Sequence, residues 1–154
     1  MMDDPVFQLV YQSRATRPLD NVELDRLALS AATFNRQHHV TGLLLYDGSR
    51  FIQALEGTHD AVTLAMNRID VDPLHDSIAY VERRFVARRQ FGGWAMDVRR
   101  VLDGESAQAF LADLRRTLAT VEDHRLVAAF IGFALLGRPE LRARRSPPGE
   151  RERA

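Results

Sequence analysis

Three polar side chains interrupt otherwise apolar surfaces of this chain, three more stand beside an apolar helical stripe, and their types define the chemistry open to it. In the stretch FIQALEG, residues 51–57, strand alternation puts Phe51, Gln53 and Leu55 on one surface, with the amide of Gln53 between two large apolar neighbours. A buried primary amide without partners costs about 1–3 kcal/mol, so both its donor and its acceptor ends must be met. Tyr11 stands in the same way beside Phe7 and Leu9, Asn35 ends an apolar helical stripe, Arg68 flanks a second stripe, and Asp72 and His75 follow at its end. Two amides, a phenol and a guanidinium are a hydrogen-bonding set suited to a flat heterocycle with carbonyl and ring-nitrogen edges. Two other chemistries compete. His38, His39, Asp72 and His75 offer imidazole and carboxylate to a divalent metal, although adjacent histidines are poorly spaced for one helical face. RRFVARRQF, residues 83–91, interleaves arginine with phenylalanine as an RNA-binding ferredoxin-like sheet would.

Composition removes several classes. The 154 residues suit one domain with an appendage, and 45% hydrophobic with 27% charged residues is ordinary globular usage. Lys plus Arg equals Asp plus Glu at 21 each, so no global field favours nucleic acid or an anionic membrane as partner. The absence of cysteine excludes disulfides, a thiolate nucleophile, Cys-liganded zinc and a thiol-anchored chromophore. Every basic residue is arginine, which excludes Schiff-base catalysis and a Walker-type phosphate loop. MMDDPVF is acidic rather than a signal peptide, and LVAAFIGFALLG at 126–137 is shorter than the roughly 20 residues of a membrane span, so a cytoplasmic protein is expected.

The elements that must position the polar set follow from periodicity. VFQLVYQS, 6–13, reads as a strand, and Asp20 with Glu23 forms a capping box for a helix whose stripe is Leu24, Leu27, Ala28, Ala31, Phe34 and Asn35. VTGLLLYDGSRFIQALEG gives two strands around an Asp-Gly turn, the first apolar on both faces and so covered on both sides. Thr58 caps a second helix to about Val71, and SIAYVERRFV and WAMDVRRVL supply two more strands. The order β-α-β-β-α-β-β predicts an α+β, ferredoxin-like fold with two helices on one sheet face. Two further helices at 104–119 and 121–136, the latter ended by Gly137 and Pro139, are expected to cover the other face, and 138–154 reads as a disordered, Arg-rich tail.

FQLVYQS, Asn35 ahead of VTGLLLY, FIQALEG, NRI with DPLH, and FGGWAM resemble, in order and spacing, the motif set of the BLUF family of flavin-binding blue-light sensors. The match runs from about Phe7 to Val101, which makes 1–102 the expected sensor domain, 103–137 a helical cap and 138–154 the tail. The resemblance implies FAD, with FMN or riboflavin as substitutes, lying between the two helices. It implies that Tyr11 gives an electron and a proton to the excited flavin, and that Gln53 bridges this phenol to the flavin N5 and O4 edge. Asn35 then binds the pyrimidine carbonyl edge, Arg68, Asp72 and His75 surround the cofactor at the helix end, and Trp94 and Met96 respond to light. One departure is Leu74, where the family often has an arginine, which implies weaker binding or altered dark recovery. Rotation or tautomerisation of the Gln53 amide would reverse its hydrogen bonds and, through Met96, move the last strand and repack the C-terminal helices. A photoreceptor of this kind is not an enzyme. It signals to a separate effector, often as a homo-oligomer, with neither nucleic acid nor membrane as partner. A light-insensitive flavin-binding scaffold or an RNA-binding ferredoxin-like domain remains the alternative.

Overall fold

The computed structural model describes residues 5–92, 95–100 and 107–136. Its first unit, within residues 1–100, runs β1 (Val6–Ala15), α1 (Asn21–Gln37), β2 (Thr41–Tyr46), β3 (Arg50–Gly57), α2 (His59–Asp70), β4 (His75–Val86) and β5 (Asp97–Arg100). The strands form one sheet in the order β4-β1-β3-β2-β5. The first four pair antiparallel in the ferredoxin-like arrangement expected from sequence. The last pairing, β2 with β5, is parallel. β5 is also shorter than WAMDVRRVL, since its pairing begins at Asp97. Trp94, Val101, Leu102, Gly137 and the tail 138–154 lie outside the described residues.

Register does the positioning. Tyr11 is paired with Gln53 across β1–β3, Gln53 with Leu44 across β3–β2, and Leu44 with Val98 across β2–β5, so these four form one row on one face. A one-residue slip would carry the side chains of the slipped strand to the other face and part Tyr11 from Gln53. The hairpin is tied at its tip by Asp47, whose Oδ1 accepts from Ser49 and Arg50 N–H, with Gly48 at φ 98° supplying the left-handed turn residue. Gly42 has a second requirement: a Cβ there would collide with the carbonyl oxygen of Ala54 on β3.

Both helices lie over the face that carries Tyr11 and Gln53. The capping box of Asp20 and Glu23 starts α1, and Thr58 caps α2 by accepting from Ala61 N–H. Two separate apolar clusters result. Under α2, Ala61, Val62, Ala65 and Met66 pack with Leu9, Tyr11, Val40 and Leu55. Under α1, Leu24 packs with Leu19, Leu44, Tyr46 and Phe51. Met96 touches both clusters and so marks the seam between them. The α1 stripe is less buried than its periodicity predicts, because Leu27, though packed against the second cluster, and Ala31 line a cleft.

The second unit contains α3 (Ala107–Thr117), a 3-10 turn at Leu118–Thr120 and α4 (His124–Leu136). Two helices were expected here. The first tightens into the 3-10 turn rather than continuing to 119, and the second starts at His124 instead of 121. Phe110, Leu114 and Leu118 recur at four-residue spacing and are buried, as are Leu126, Phe130 and Phe133 of α4. No helix among the described residues is long and apolar enough to cross a membrane.

Candidate functional site

Between α1, α2 and the sheet lies a cleft, open at its mouth and lined by both apolar and polar side chains, the general make-up of a small-molecule site. Its walls include Leu27 and Ala31 of α1, Ala65 and Ile69 of α2, and Leu44, Phe51 and Leu55 of the sheet. Tyr11, Asn35, Gln53, Arg68, Asp72 and His75 all line it, so the structure gathers residues that sequence alone could only name. Leu74 lines it as well.

The sheet side carries a relay. The phenol of Tyr11 donates to Oε1 of Gln53, its register partner, and Gln53 Nε2 donates to Sδ of Met96 at 3.6 Å. The amide orientation follows from its neighbours, because a thioether offers no hydrogen and must face the N–H end. Tyr11 is only 2% exposed. Burial first, then the carboxylates of Asp72 and Asp70 and the nearby Tyr80, push its pKa well above the ordinary phenol value. Tyr11 is therefore a neutral donor that sheds a proton only when something else, such as loss of an electron, makes it acidic.

Asn35, near the end of α1, donates from Nδ2 to the carbonyl of Ala95 at 2.8 Å. That bond ties the helix to the residue preceding Met96 and uses one of the two Nδ2 hydrogens, so the other and Oδ1 can serve a ligand. Asn35 also holds the turn after α1 through its own carbonyl, which accepts Val40 N–H at 2.8 Å.

At the exposed rim, the Arg68 guanidinium on α2 bonds Ser30 Oγ on α1 at 2.8 Å and lies 4.6 Å from the ring centre of Phe34. It spans the two helices as a strap. Asp72 Oδ1 accepts Leu74 N–H at 2.9 Å and shapes the turn between α2 and β4. His75 Nε2 lies 2.9 Å from the carbonyl of Ile69 and must donate to it, which leaves Nδ1 as the acceptor for the Ser13 hydroxyl at 2.8 Å. Ser13 and Ser30 were not anticipated as part of this group. Ser13 was legible, since it stands two residues beyond Tyr11 on the same strand face, whereas Ser30 needs the relation of α1 to α2.

The rival constellations come apart. His38 stacks on Phe34, with its Nδ1 2.9 Å from the Phe34 carbonyl, and among the described residues no three His, Asp or Glu side chains converge as a metal site requires. In RRFVARRQF, Phe91 is buried and Arg89 is engaged with Thr41 and the Glu56 carbonyl, which leaves Phe85 as the exposed aromatic of the segment.

A ferredoxin-like sheet whose two helices frame a polar-floored cleft defines a ligand-binding α+β domain. Residues 6–97 match the family described as BLUF, sensors of blue-light using FAD, and the chain belongs to the BLUF family. Relatives include the photoactivated adenylate cyclase subunit beta of Euglena gracilis, 38% identical over 79 residues, covering 51% of this chain and 9% of the relative. The blue light- and temperature-regulated antirepressor BluF of Escherichia coli K12 is 34% identical over 92 residues, covering 58% of this chain and 22% of the relative. The chain thus spans less than a quarter of the length of these proteins. Among solved structures, the BLUF domain of BlrP1 superposes with a TM-score of 0.72 at 30% identity, covering 89% of this chain and 95% of that one. BlrB, a BLUF protein solved in its dark state, superposes with a TM-score of 0.61 at 28% identity, covering 77% and 98%.

Proposed function

We propose that this chain senses blue light through FAD held noncovalently in the cleft between α1 and α2, and passes the change to a separate protein. The observation that carries the reading is the chain of contacts from Tyr11 through Gln53 to Met96 along the floor of the cleft. The cleft fits the group: apolar walls for a planar ring, with the amides of Gln53 and Asn35 for a heterocyclic edge carrying both donors and acceptors. Arg68, Asp72 and His75 would line the remainder at the helix ends. Bound there, the flavin supplies the absorption of blue light and, once excited, an oxidant for a phenol.

The residues then do the following. Tyr11, kept protonated by burial, gives up its electron together with its proton, and Gln53 Oε1 is the base within reach of that proton. Return of both restores the phenol, while the Gln53 amide is left turned or tautomerised. A turned amide puts oxygen, not N–H, against Met96 Sδ and loses that contact. Met96 directly precedes β5, so the change reaches the strand beside β2. Trp94 is the second residue in this response. The output is a change of packing read by a partner, as fits a relative named as an antirepressor, and this chain acts as a sensor rather than a catalyst.

Titration of the flavin-free chain with FAD, followed by quenching of flavin fluorescence, tests the binding half of this reading. One-to-one binding that weakens about tenfold in Asn35→Ala is expected from loss of a buried hydrogen bond. Equal affinity in both proteins would remove Asn35 from the site.

A further inference from the structure

The face of β3 opposite Gln53 carries a fully buried carboxylate, Glu56. A buried acid must be met by donors. Oε1 accepts from the Thr41 hydroxyl at 2.7 Å and from Phe91 N–H at 2.8 Å, and Oε2 accepts from Gln90 N–H at 2.7 Å. Thr41 is the register partner of Glu56 on β2 and is fixed by the sheet. Gln90 and Phe91 are different: they lie between β4 and β5, just before the residues whose contacts define the site. Ala95 receives Asn35, and Met96 receives Gln53. Arg89 strengthens the same junction by donating to Thr41 Oγ1 at 3.0 Å and to the Glu56 carbonyl at 3.3 Å.

Across β1–β3, Gln8 stands directly opposite Glu56. It too is fully buried, and neither end of its amide has a hydrogen-bond partner among the described residues. Opposed side chains on neighbouring strands lie close enough to interact, so the Gln8 amide is a donor held in reserve beside this carboxylate.

Given the photoreceptor reading above, on which this inference rests, we propose that Glu56 is a positioning residue of the light response. In darkness its carboxylate grips Gln90 and Phe91 and thereby sets where Ala95 and Met96 meet Asn35 and Gln53. When Gln53 turns and releases Met96, the two backbone N–H groups loosen, and Gln8 supplies the donor that keeps the carboxylate satisfied. The latch thus has two arrangements, which a population shift requires.

The test is amide hydrogen exchange at Gln90 and Phe91 in the full chain loaded with FAD, in darkness and under continuous blue light, beside the dark-recovery rate. In the wild type, exchange at both amides should rise about tenfold in light, and in Gln8→Leu this rise should shrink. Glu56→Gln turns an N–H toward Gln90 N–H. It should keep FAD and the red shift, because Glu56 lies on the face away from the cleft, but bring light and dark exchange together and slow recovery about fivefold. Thr41→Val, which removes one donor to Glu56 together with the hydroxyl that accepts from Arg89, should move both readouts the same way by less, and it carries the test should Glu56→Gln fold poorly. A wild-type chain with a normal red shift but equal exchange in light and dark would overturn the latch alone, as would variants with unaltered recovery and light-to-dark exchange ratio. A wild-type chain with no red shift at all would overturn the photoreceptor reading and the latch with it.

Discussion

Tyr11 and Gln53 lend themselves to a double-mutant cycle, because the partner of the phenol in the structure is a single amide oxygen. Gln53→Leu fills the space but strands the Tyr11 hydroxyl, which is 2% exposed, and a buried donor without a partner costs about 1–3 kcal/mol. Tyr11→Phe removes the donor and leaves Gln53 beside a polar cleft that can supply another, so about 0.5–1.5 kcal/mol is expected. In Tyr11→Phe/Gln53→Leu both members of the pair are apolar, and such paired replacement is close to neutral for the bond itself. The double variant should therefore be less destabilised than the sum of the singles by about 1 kcal/mol or more. Urea unfolding of the four flavin-free proteins measures this. Independent sites add to within about 0.3–0.5 kcal/mol, so a coupling below that would refute the bond and the relay built on it.

Leu74→Arg should tighten FAD binding about three- to tenfold by placing a guanidinium on the lining beside Asp72, as a fluorescence titration would read. For pH, Tyr11 is raised in the folded state, so its share of stability is complete below the unfolded phenol value of about 10 and falls as pH climbs above it. Of the three tyrosines, Tyr11 should show no phenolate absorbance until the chain unfolds, and Tyr11→Phe should flatten the alkaline loss of stability. Gly42→Ala should cost about 1–3 kcal/mol by forcing β2 off the Ala54 carbonyl, seen as a lowered Tm, and should weaken FAD binding because Leu44 lies two residues on in the wall of the cleft.

Strand alternation and helical stripes made the polar lining readable, since Tyr11, Gln53 and Asn35 each break an apolar pattern at a position whose face is fixed by its period. Periodicity says which face a residue is on, not which strand lies beside it. The opposition of Tyr11 and Gln53, 42 residues apart, needed the β1–β3 register. The late start of β5 and its parallel pairing escaped for a related reason, because WAMDVRRVL has strand composition throughout and the sheet alone decides where pairing begins. Glu56 is the one acid of FIQALEG and was not among the expected site residues. Its partners Gln90 and Phe91 meet it through backbone N–H groups, which every residue but proline carries, so no side-chain pattern announces them.

If light reverses the hydrogen bonding of Gln53 without a covalent bond to the cofactor, the change registers in the flavin spectrum itself. The most direct measurement is the visible absorption spectrum of the FAD-loaded chain before and after blue illumination, with Gln53→Leu beside it. In the wild type the flavin band should move slightly to the red and relax in darkness, with no such shift in the variant. A flavin spectrum that light leaves unmoved in the wild type, or a normal shift in Gln53→Leu, would contradict it.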